Sequence, residues 1–434
     1  MEGWSAYRRK RIAVSVNELY RTKSVCPVCL SVLDASVTER DGAVYLSKEC
    51  KEHGPFKTVI WRDSGASYLE WLRYGGWKPE EDLGAVAGCP DHCGSCMGHR
   101  QEVCSAAVMV TNRCNSACPV CFTVGKEARF EPSLEELTGQ FLFYRKAGGE
   151  NFPLELCGGE PMVRDDLPQI AAKARELGFS YIQVNTNGIR AASDPDYLIR
   201  LKEAGVTTLY LGLDGVTSGP YLKKYGKDIF PLKIKALENS AAAGLAVVLV
   251  PCVIPGSNEK ELGAIIRLAK EFMPTVRGVY FQPVSYFGTY PKPPEDSDRI
   301  TIPEVLRLLE EQTGGEVRRE HFLPGNCEHP QCSFGAYYME GKDGRLRAVT
   351  RYQALPKRAQ ASAHVREVTR KNWTPGKNRH LTIGGMAFQD AWNLDLARLS
   401  RCTVQIVGRD GRLIPLCAKY LTNCQGEKLY PGIS

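Results

Sequence analysis

Cysteine usage is the feature that most constrains this chain: 17 cysteines occur among 434 residues, and most of them fall in tight clusters. The basic N-terminus has no apolar stretch behind it, so the sequence predicts no secretory signal. An odd number of cysteines without an export signal disfavours a disulfide framework and favours metal binding in a reducing compartment. No apolar run approaches the roughly 18–20 residues that cross a bilayer. We therefore expect a cytoplasmic metalloprotein.

The central cluster consists of Cys114, Cys118 and Cys121, which are spaced as C-x3-C-x2-C. Three thiolates on one loop can hold three irons of a 4Fe-4S cube, and the fourth iron is then open to a small molecule. The cluster follows an apolar run that begins at Ser105, and from there short apolar runs alternate with amphipathic stretches. This alternation predicts βαβ units and a parallel sheet.

The predicted strands lie near 105–111, 152–157, 180–186, 207–213, 246–253 and 278–284, and the predicted helices near 133–147, 167–178, 195–205, 230–244 and 258–272. Polar and glycine-rich motifs follow several of these strands. They are Gly158, Gly159, Glu160 and Pro161 after the second, Asn185 and Asn187 after the third, and Asp214 after the fourth. The carboxyl ends of parallel strands share one edge of a sheet, where ligands bind. The carboxylate and amide groups of these motifs can form hydrogen bonds with an amine and with ribose hydroxyls.

This combination of triplet and strand-end motifs resembles the radical S-adenosylmethionine (SAM) superfamily over roughly residues 105–290. The resemblance implies a partial (β/α)6 barrel in which SAM chelates the open iron and Gly158 to Pro161 contact its amine. It also implies reductive cleavage of SAM to a 5′-deoxyadenosyl radical that abstracts hydrogen from an unactivated carbon. The sequence departs from the family pattern at Val120, where an aromatic residue is usual.

A second C-x3-C-x2-C triplet precedes the barrel at Cys89, Cys93 and Cys96, and Cys104 follows it. Four thiolates complete a cube without an open iron, so we predict an auxiliary 4Fe-4S cluster. A structural zinc site with the same ligands is the alternative.

Nearer the N-terminus, two short hooks supply Cys26, Cys29, Cys50 and His53. This layout is typical of a zinc ribbon or a rubredoxin-type site. We predict one mononuclear zinc or iron ion here, which stabilises a region that lacks a large core.

The C-terminal cysteines include Cys327 and Cys332, together with Cys402 and Cys417 at the two chain ends of a predicted hairpin. We predict that these four ligands bind a second auxiliary 4Fe-4S cluster. The alternatives are a zinc site, or a mixed site in which His329 or Cys424 replaces one ligand.

The fold class predicted from these features is α/β, with a partial radical SAM barrel between two cysteine-rich regions. The predicted domains are 1–104, with the ribbon-type site and one auxiliary cluster, 105–290, with the barrel, and 291–434, with the second auxiliary cluster. Over nearly the whole chain, the order of cysteine motifs resembles the archaeal tetraether lipid synthase and macrocyclic archaeol synthase group. That resemblance implies carbon–carbon coupling between unactivated carbons of isoprenoid lipid chains, with two SAM molecules consumed per bond.

A lipid substrate requires contact with a membrane, and basic residues around Trp373 between 357 and 380 could meet anionic head groups at the bilayer surface. A solvated basic loop is the alternative. A nucleic-acid partner is not expected, because this stretch lacks interleaved aromatic residues. Cleavage of SAM requires a reducing partner such as ferredoxin or flavodoxin.

Three other functions compete with lipid coupling. A radical SAM peptide maturase also carries auxiliary clusters, but here a cysteine ribbon takes the place of the usual leader-binding fold. A pterin-modifying enzyme would account for the two triplets, although the sequence shows no dedicated methyl carrier. A non-catalytic iron–sulfur carrier or scaffold would have no need for the SAM-binding motifs.

Overall fold

A computed structural model describes residues 17–74, 77, 88–94, 103–122, 130–148, 153–325, 328–350 and 372–430. The first described region is a four-stranded antiparallel sheet in the order β1-β2-β3-β4, followed by a helix. Its elements are β1 (Asn17–Val25), β2 (Val32–Arg40), β3 (Ala43–Cys50), β4 (Gly54–Trp61) and α1 (Gly65–Tyr74). The sequence predicts irregular structure over much of this region, whereas the structure shows regular strands. Buried and solvent-facing residues alternate along β2 and β3, as on a sheet with one packed face.

The central region contains the predicted parallel strands. They are β5 (Ser105–Thr111), β6 (Leu154–Gly158), β7 (Ile182–Thr186), β8 (Thr208–Gly212), β9 (Ala246–Val250) and β11 (Val276–Pro283), with the short β10 (Cys252–Val253) beside β11. The helices are α2 (Leu134–Gly148), α3 (Leu167–Glu176), α4 (Ile189–Ser193), α5 (Pro195–Ala204), α6 (Ser218–Tyr225), α7 (Phe230–Ala242) and α8 (Leu262–Glu271). The strands pair in parallel in the order β5-β6-β7-β8-β9-β11. The α/β fold class is therefore confirmed.

The C-terminal region adds strands to both edges of this sheet. Its elements are α9 (Ile302–Gln312), β12 (Leu323–Pro324), β13 (Ser333–Glu340), β14 (Leu346–Ala348), β15 (His380–Met386), α10 (Leu396–Leu399), β16 (Val404–Val407), β17 (Leu413–Pro415) and α11 (Leu416–Lys419). Strand β15 pairs in parallel with β11, and β16 pairs in parallel with β5. The predicted hairpin is present, because β16 and β17 are antiparallel. The C-terminal strands thus belong to the same sheet as the barrel strands.

The two faces of the barrel strands differ in chemistry. Leu154, Leu156 and Val184 are fully buried and belong to the same apolar core as the α3 residues Leu167 and Ile170. Successive side chains of a strand point to opposite faces, so the intervening residues face the barrel interior. That interior contains the candidate site.

The segment around 290–298, at the boundary between the predicted barrel and C-terminal domains, contacts the N-terminal sheet. Val59 donates its backbone N–H to Asp296 Oδ1 at 2.8 Å, and Arg62 donates to the Asp296 carbonyl. The N-terminal sheet also contacts the C-terminal region, where Thr22 Oγ1 donates to Asp395 Oδ1 at 2.6 Å. These bonds join the ribbon region to the segment that follows the barrel and to the C-terminal region.

Among the helices that the structure describes, none combines the length and the apolar character needed to cross a bilayer.

Candidate active site and metal centres

The central triplet lies on the loop that follows β5, and all three of its thiols line a cavity of about 910 Å³. Cys121 and Thr289 exchange two backbone hydrogen bonds, with N···O distances of 2.9 and 2.7 Å. Gly288, next to Thr289, has a φ of +71°, and a Cβ there would lie 2.4 Å from the Cys121 carbonyl oxygen. This contact therefore requires glycine, and it holds the last cysteine of the loop in place.

The three thiols suit a metal cluster chemically. Burial raises the pKa of Cys114 to about 11, and burial also raises the pKa of Cys118. Without a cation these groups would remain thiols, whereas a metal stabilises the thiolate form that binds it. Three cysteine side chains that line one cavity match the donor set of a 4Fe-4S cube with one accessible iron.

The glycine-rich motif after β6 packs directly against this loop. A Cβ at Gly158 would lie 2.1 Å from the Thr111 carbonyl oxygen, and a Cβ at Gly159 would lie 2.4 Å from that of Arg113. Both glycines line the cavity. Only a residue without a side chain allows the two backbones to approach so closely, and the same absence exposes backbone polar groups to a ligand.

Glu160 lines the cavity, but its carboxyl is occupied by donors of the protein itself. It accepts hydrogen bonds from Thr186 Oγ1 at 2.7 Å, the Asn187 N–H at 2.6 Å and the Met162 N–H at 3.0 Å. Burial raises its pKa, and these donors partly offset that effect. The arrangement joins the end of β6 to the end of β7, so Glu160 positions the two strand ends.

The two asparagines after β7 both line the cavity. Asn187 Nδ2 donates to Asn115 Oδ1 at 2.7 Å and thereby joins β7 to the cysteine loop. Neither Pro161 nor Asp214 belongs to the described residues that line the cavity. Pro161 begins a short 3-10 helix, Pro161–Val163.

Asp214 forms a buried ion pair, which the sequence analysis did not anticipate. Lys224 Nζ lies 2.9 Å from each of its carboxylate oxygens, and the Cys252 N–H donates to it at 3.2 Å. The cavity is lined by Lys224 instead. The partner comes from α6, ten positions further along the chain, and only the tertiary structure brings the two together.

Similarity to known proteins agrees with this geometry. The family model described as "Radical SAM superfamily" matches residues 108–269, and the model described as "HMPTM N-terminal zinc ribbon domain" matches residues 18–62. A curated relative, the 7,8-dihydro-6-hydroxymethylpterin dimethyltransferase of Methanocaldococcus jannaschii, is 33% identical over 92% of this chain and 92% of its own length. The chain belongs to the radical SAM family of this dimethyltransferase.

Other radical SAM relatives match over shorter stretches. Fe-coproporphyrin III synthase of Methanosarcina barkeri is 32% identical over 37% of this chain and 40% of its own length. GTP 3′,8-cyclase of Aquifex aeolicus is 26% identical over 47% of this chain and 63% of its own length. Among solved structures, Streptococcus suis SuiB bound to its precursor peptide SuiA is similar at 17% identity and a TM-score of 0.41, over 55% of this chain and 51% of that one. The radical SAM prediction is thus confirmed, whereas the relative that spans nearly the whole chain is named for a pterin and not for a lipid.

The four predicted ligands of the ribbon site come together in this radical SAM protein. One donor atom from each of Cys26, Cys29, Cys50 and His53 lies within 4.8 Å of the others. Hydrogen bonding from Ser31 lowers the pKa of Cys29, and the backbone N–H of Glu52 lowers the pKa of Cys50. Both effects favour thiolates, and three sulfurs with one imidazole suit tetrahedral zinc.

The second triplet is described only in part. Cys89 and Cys93 are buried in the same apolar cluster as Cys417, and the Cys93 N–H donates to the Tyr430 hydroxyl at 2.9 Å. Cys104 precedes β5 and lines the cavity. Cys96 lies outside the described residues, so the auxiliary cluster at these four ligands stays a prediction.

Three of the four predicted C-terminal ligands lie near one another; Cys417 is buried, and Cys332 and Cys402 are half-buried. The pKa of Cys402 is raised by burial and by the neighbouring Cys417 and Cys332 sulfurs. Arg398 Nε lies 3.0 Å from Cys332 Sγ, and the Gln389 N–H donates to Cys417 Sγ at 3.3 Å. Cys327 lies outside the described residues, so the second auxiliary cluster also stays a prediction.

The two alternative ligands occupy different surroundings. His329 is buried, and its ring packs edge-on against Trp77 with centroids 4.8 Å apart. Cys424 donates its backbone N–H to the Pro27 carbonyl at 2.8 Å, which places its backbone beside the ribbon site.

The remainder of the cavity is formed by residues that the sequence analysis did not single out. Glu155 of β6 and Gln183 of β7 supply polar groups, and Tyr210 and Tyr280 supply aromatic rings. Trp373 joins these rings, with centroids 5.9 Å from each tyrosine. Trp373 thus lines the cavity, and contact between the basic stretch around it and a membrane surface stays a prediction.

Proposed function

We propose that this radical SAM enzyme methylates a reduced pterin inside the barrel. The observation that carries the proposal is a cavity that begins at the cysteine triplet and continues to a polar and aromatic floor. Planar heterocycles combine a flat apolar face with hydrogen-bonding edges, and such a floor suits both. The name of the relative that covers 92% of this chain supports the same substrate class.

The residues have distinct roles in this proposal. Cys114, Cys118 and Cys121 would hold a 4Fe-4S cluster, which with bound SAM supplies a 5′-deoxyadenosyl radical for hydrogen abstraction. For each methyl group added, one SAM would yield methionine and 5′-deoxyadenosine, which takes up the substrate hydrogen. A second SAM would supply the methyl group and leave as S-adenosylhomocysteine, and the external reductant would supply two electrons. Gly158 and Gly159 leave room for the methionine part of SAM. Because both Asn185 and Asn187 line the cavity near the strand ends, they suit SAM hydroxyl groups.

Lys224 and the cysteine loop also shape the site electrostatically. The lysine ammonium lies close enough to lower the pKa of Cys118, although burial has the larger, opposite effect. A cluster held by three thiolates carries negative charge, and a nearby fixed cation offsets part of that charge. The Asp214 carboxylate in turn holds the lysine ammonium in position.

The other metal sites are part of the same proposal. The ribbon ligands would bind one zinc or iron ion that stabilises the N-terminal sheet. Each auxiliary set would bind a 4Fe-4S cluster, and a reductant such as ferredoxin or flavodoxin would deliver electrons. Cys332 directly precedes β13, Cys402 precedes β16 and Cys417 lies in α11, so a cluster there would be next to strands that extend the barrel sheet.

A lipid substrate would require a different cavity lining. A saturated isoprenoid chain offers no hydrogen bonds, so it would leave buried polar groups such as Glu155 and Gln183 without partners from the ligand. The basic stretch proposed to meet anionic lipids falls largely at 351–371, outside the described residues. Within the described part, Arg379 binds Glu340 and the Met273 carbonyl.

The deciding experiment uses the anaerobically reconstituted, reduced enzyme with SAM and 6-hydroxymethyl-7,8-dihydropterin. We expect 5′-deoxyadenosine together with a pterin product that is heavier by one CH2 unit for each methyl group added. The Cys121→Ala variant serves as the control and should form neither product. A parallel incubation with archaeal diether lipids tests the competing function. Lipid products lighter by two hydrogens, with the pterin unchanged, would replace the proposal with lipid coupling.

A further inference from the structure

A row of hydrogen-bonded polar side chains crosses the interior of the first barrel strands. Ser105 Oγ donates to Glu155 Oε1, and Asn185 lies close enough to lower the pKa of the Glu155 carboxyl. Gln183 Nε2 donates to Asn185 Oδ1 at 2.8 Å, and the Tyr181 hydroxyl donates to Gln183 Oε1 at 3.0 Å. The interiors of parallel barrels are usually filled with branched apolar residues, so a carboxyl and two amides in this place call for a ligand or a structural reason.

Glu155 is the member of this row whose ionisable side chain is unfavourable inside the barrel. The residue is half-buried in the cavity wall, and burial raises the pKa of its carboxyl, while the hydrogen bond from Ser105 acts in the opposite direction. Among the described residues, no lysine or arginine forms an ion pair with it. A buried acid without a cation destabilises the fold, and purely structural packing at this position would be served by an apolar residue.

The Glu155 carboxyl can nevertheless accept more hydrogen bonds than the protein donates to it. A carboxylate offers about four lone-pair positions, and the hydrogen bond from Ser105 occupies one of them. Glu155 contributes to the wall of the cavity, so a ligand bound there can reach its carboxyl. A ligand with two parallel N–H groups on neighbouring atoms can donate one hydrogen bond to each carboxylate oxygen, as a guanidinium does.

The position along the strand is suited to holding a substrate at a distance from the radical source. Glu155 lies three residues before Gly158 on β6, which corresponds to about 10 Å along a strand. Glu155 pairs in register with Gln183, so both polar groups lie on the same level of the barrel. A planar ligand bound at this level would extend its other end toward the cysteine loop.

Three aromatic rings complete this part of the cavity. Tyr210 and Tyr280 have ring centroids 6.0 Å apart, and Trp373 lies against both. Tyr210 pairs in register with Asn185, next to the polar row. Aromatic surface beside a carboxyl edge matches a flat heterocycle whose rim carries hydrogen-bond donors.

We infer that Glu155 is the specificity-determining residue of this site, and that its carboxyl binds the amino and ring N–H groups of a cyclic-guanidine edge on the substrate. The 2-amino-4-oxo edge of a pterin has this chemistry, and so does guanine. The inference deepens the proposed function and rests on it for the identity of the substrate. Gln183 acts as a positioning residue at this level of the barrel, because it pairs in register with Glu155 and donates to Asn185.

The test measures equilibrium binding to the SAM-loaded holoenzyme for four probes. They are 6-hydroxymethyl-7,8-dihydropterin, its analogue without the 2-amino group, GTP, and inosine triphosphate, which is GTP without that amino group. For the wild type we expect binding to weaken about 10- to 100-fold when the amino group is absent, as for hydrogen bonds to a charged group. Glu155→Gln presents an N–H where an acceptor is needed, so the preference for the amino compound should fall close to one.

Two controls accompany this test: a matched variant, and a comparison of the probes with and without the amino group on the wild type. Glu238→Gln changes an exposed carboxylate on α7 and should retain the wild-type preference. The comparison of amino and desamino probes with the wild type needs no variant, so equal binding of the two would overturn the inference even if Glu155→Gln fails to fold. A purely structural role for Glu155 would alter stability without changing this ratio.

The outcomes separate this inference from the proposed function. Dihydropterin that binds without preference for its amino group, or with a preference that Glu155→Gln retains, overturns the role of Glu155 and leaves pterin methylation standing. GTP that binds with such a preference while dihydropterin does not would overturn the pterin substrate and support the role of Glu155. If none of the four probes binds, both fail.

Discussion

Lys224 on α6 bridges both carboxylate oxygens of Asp214, with Nζ···O distances of 2.9 Å, at the edge of the cavity that contains the cysteine triplet. The side chains are 18% and 3% exposed, so the pair is largely removed from water. The carboxylate raises the pKa of Lys224 well above its ordinary value, although burial alone would lower it. Asp214, which the sequence analysis predicted to contact SAM, thus holds the Lys224 cation in the cavity wall.

Replacement of Lys224 by methionine leaves the buried Asp214 carboxylate without its partner. We expect the free energy of unfolding to fall by about 3–5 kcal/mol, as when one member of a buried pair is removed. Chemical denaturation of the metal-loaded protein measures the loss. The double variant Asp214→Asn with Lys224→Met should recover much of it, because no isolated charge then remains.

The neighbouring Lys223 provides the control for this prediction. It lies on the same helix and donates to the exposed Gly256 carbonyl, so Lys223→Met should change the stability by less than about 0.5 kcal/mol. An equal loss in the two lysine variants would contradict the importance of the buried pair.

A second buried pair joins the C-terminal region to the segment after the barrel. Arg299 donates from Nη1 and Nη2 to the two carboxylate oxygens of Asp390 at 2.9 and 3.0 Å, and the side chains are 5% and 0% exposed. Asp390 also accepts from the Tyr286 N–H at 2.9 Å. We expect Arg299→Ala to lower the free energy of unfolding by about 3–5 kcal/mol, measured by denaturant titration.

The bidentate geometry makes a further distinction. Arg299→Lys should also be clearly destabilising, because a lysine cannot form two parallel bonds to one carboxylate. The exposed pair between Lys292 and Asp298, whose side chains are 60% and 28% exposed, is the matched control. Lys292→Ala should cost no more than about 1 kcal/mol, and a cost as large as that of Arg299→Ala would argue against burial as the cause.

The sequence predicted the central barrel well, for a physical reason. The strands β5 to β9 are apolar runs covered by helices, and both signals are local in the sequence. The addition of β15 and β16 to the two sheet edges could not be predicted in this way. Each is short, and its pairing depends on which edge the barrel leaves open.

The residues of the candidate site could be predicted only where their spacing along the sequence is typical of a site. Cysteines on one loop and glycines at strand ends are visible in the sequence. Glu155 gave a signal that was missed: a charged residue between Leu154 and Leu156, inside a strand that was expected to be buried on both faces. Trp373 gave none, because nothing near it in the sequence indicates that it meets Tyr210 and Tyr280.

The ribbon site makes a prediction about metal removal. Cys50→Ser removes one of four converging ligands, so we expect loss of about one equivalent of zinc or iron per chain and a lower unfolding temperature for the N-terminal sheet. Elemental analysis and thermal unfolding measure the two effects. Lys51→Ala, at the exposed neighbouring position, should change neither. Full metal content in Cys50→Ser would exclude Cys50 as a ligand.

The C-terminal cysteines make the last prediction. Cys417 is buried and lies near Cys332 and Cys402, so Cys417→Ala should remove one auxiliary cluster, about four iron atoms per chain. Iron analysis and Mössbauer spectroscopy of the reconstituted enzyme measure this loss. Because the radical SAM triplet lies on a different loop, formation of 5′-deoxyadenosine without substrate should persist, whereas methylated pterin should disappear. Cys424→Ala is the matched control and should keep its iron. Loss of iron in Cys424→Ala but not in Cys417→Ala would reassign the ligand.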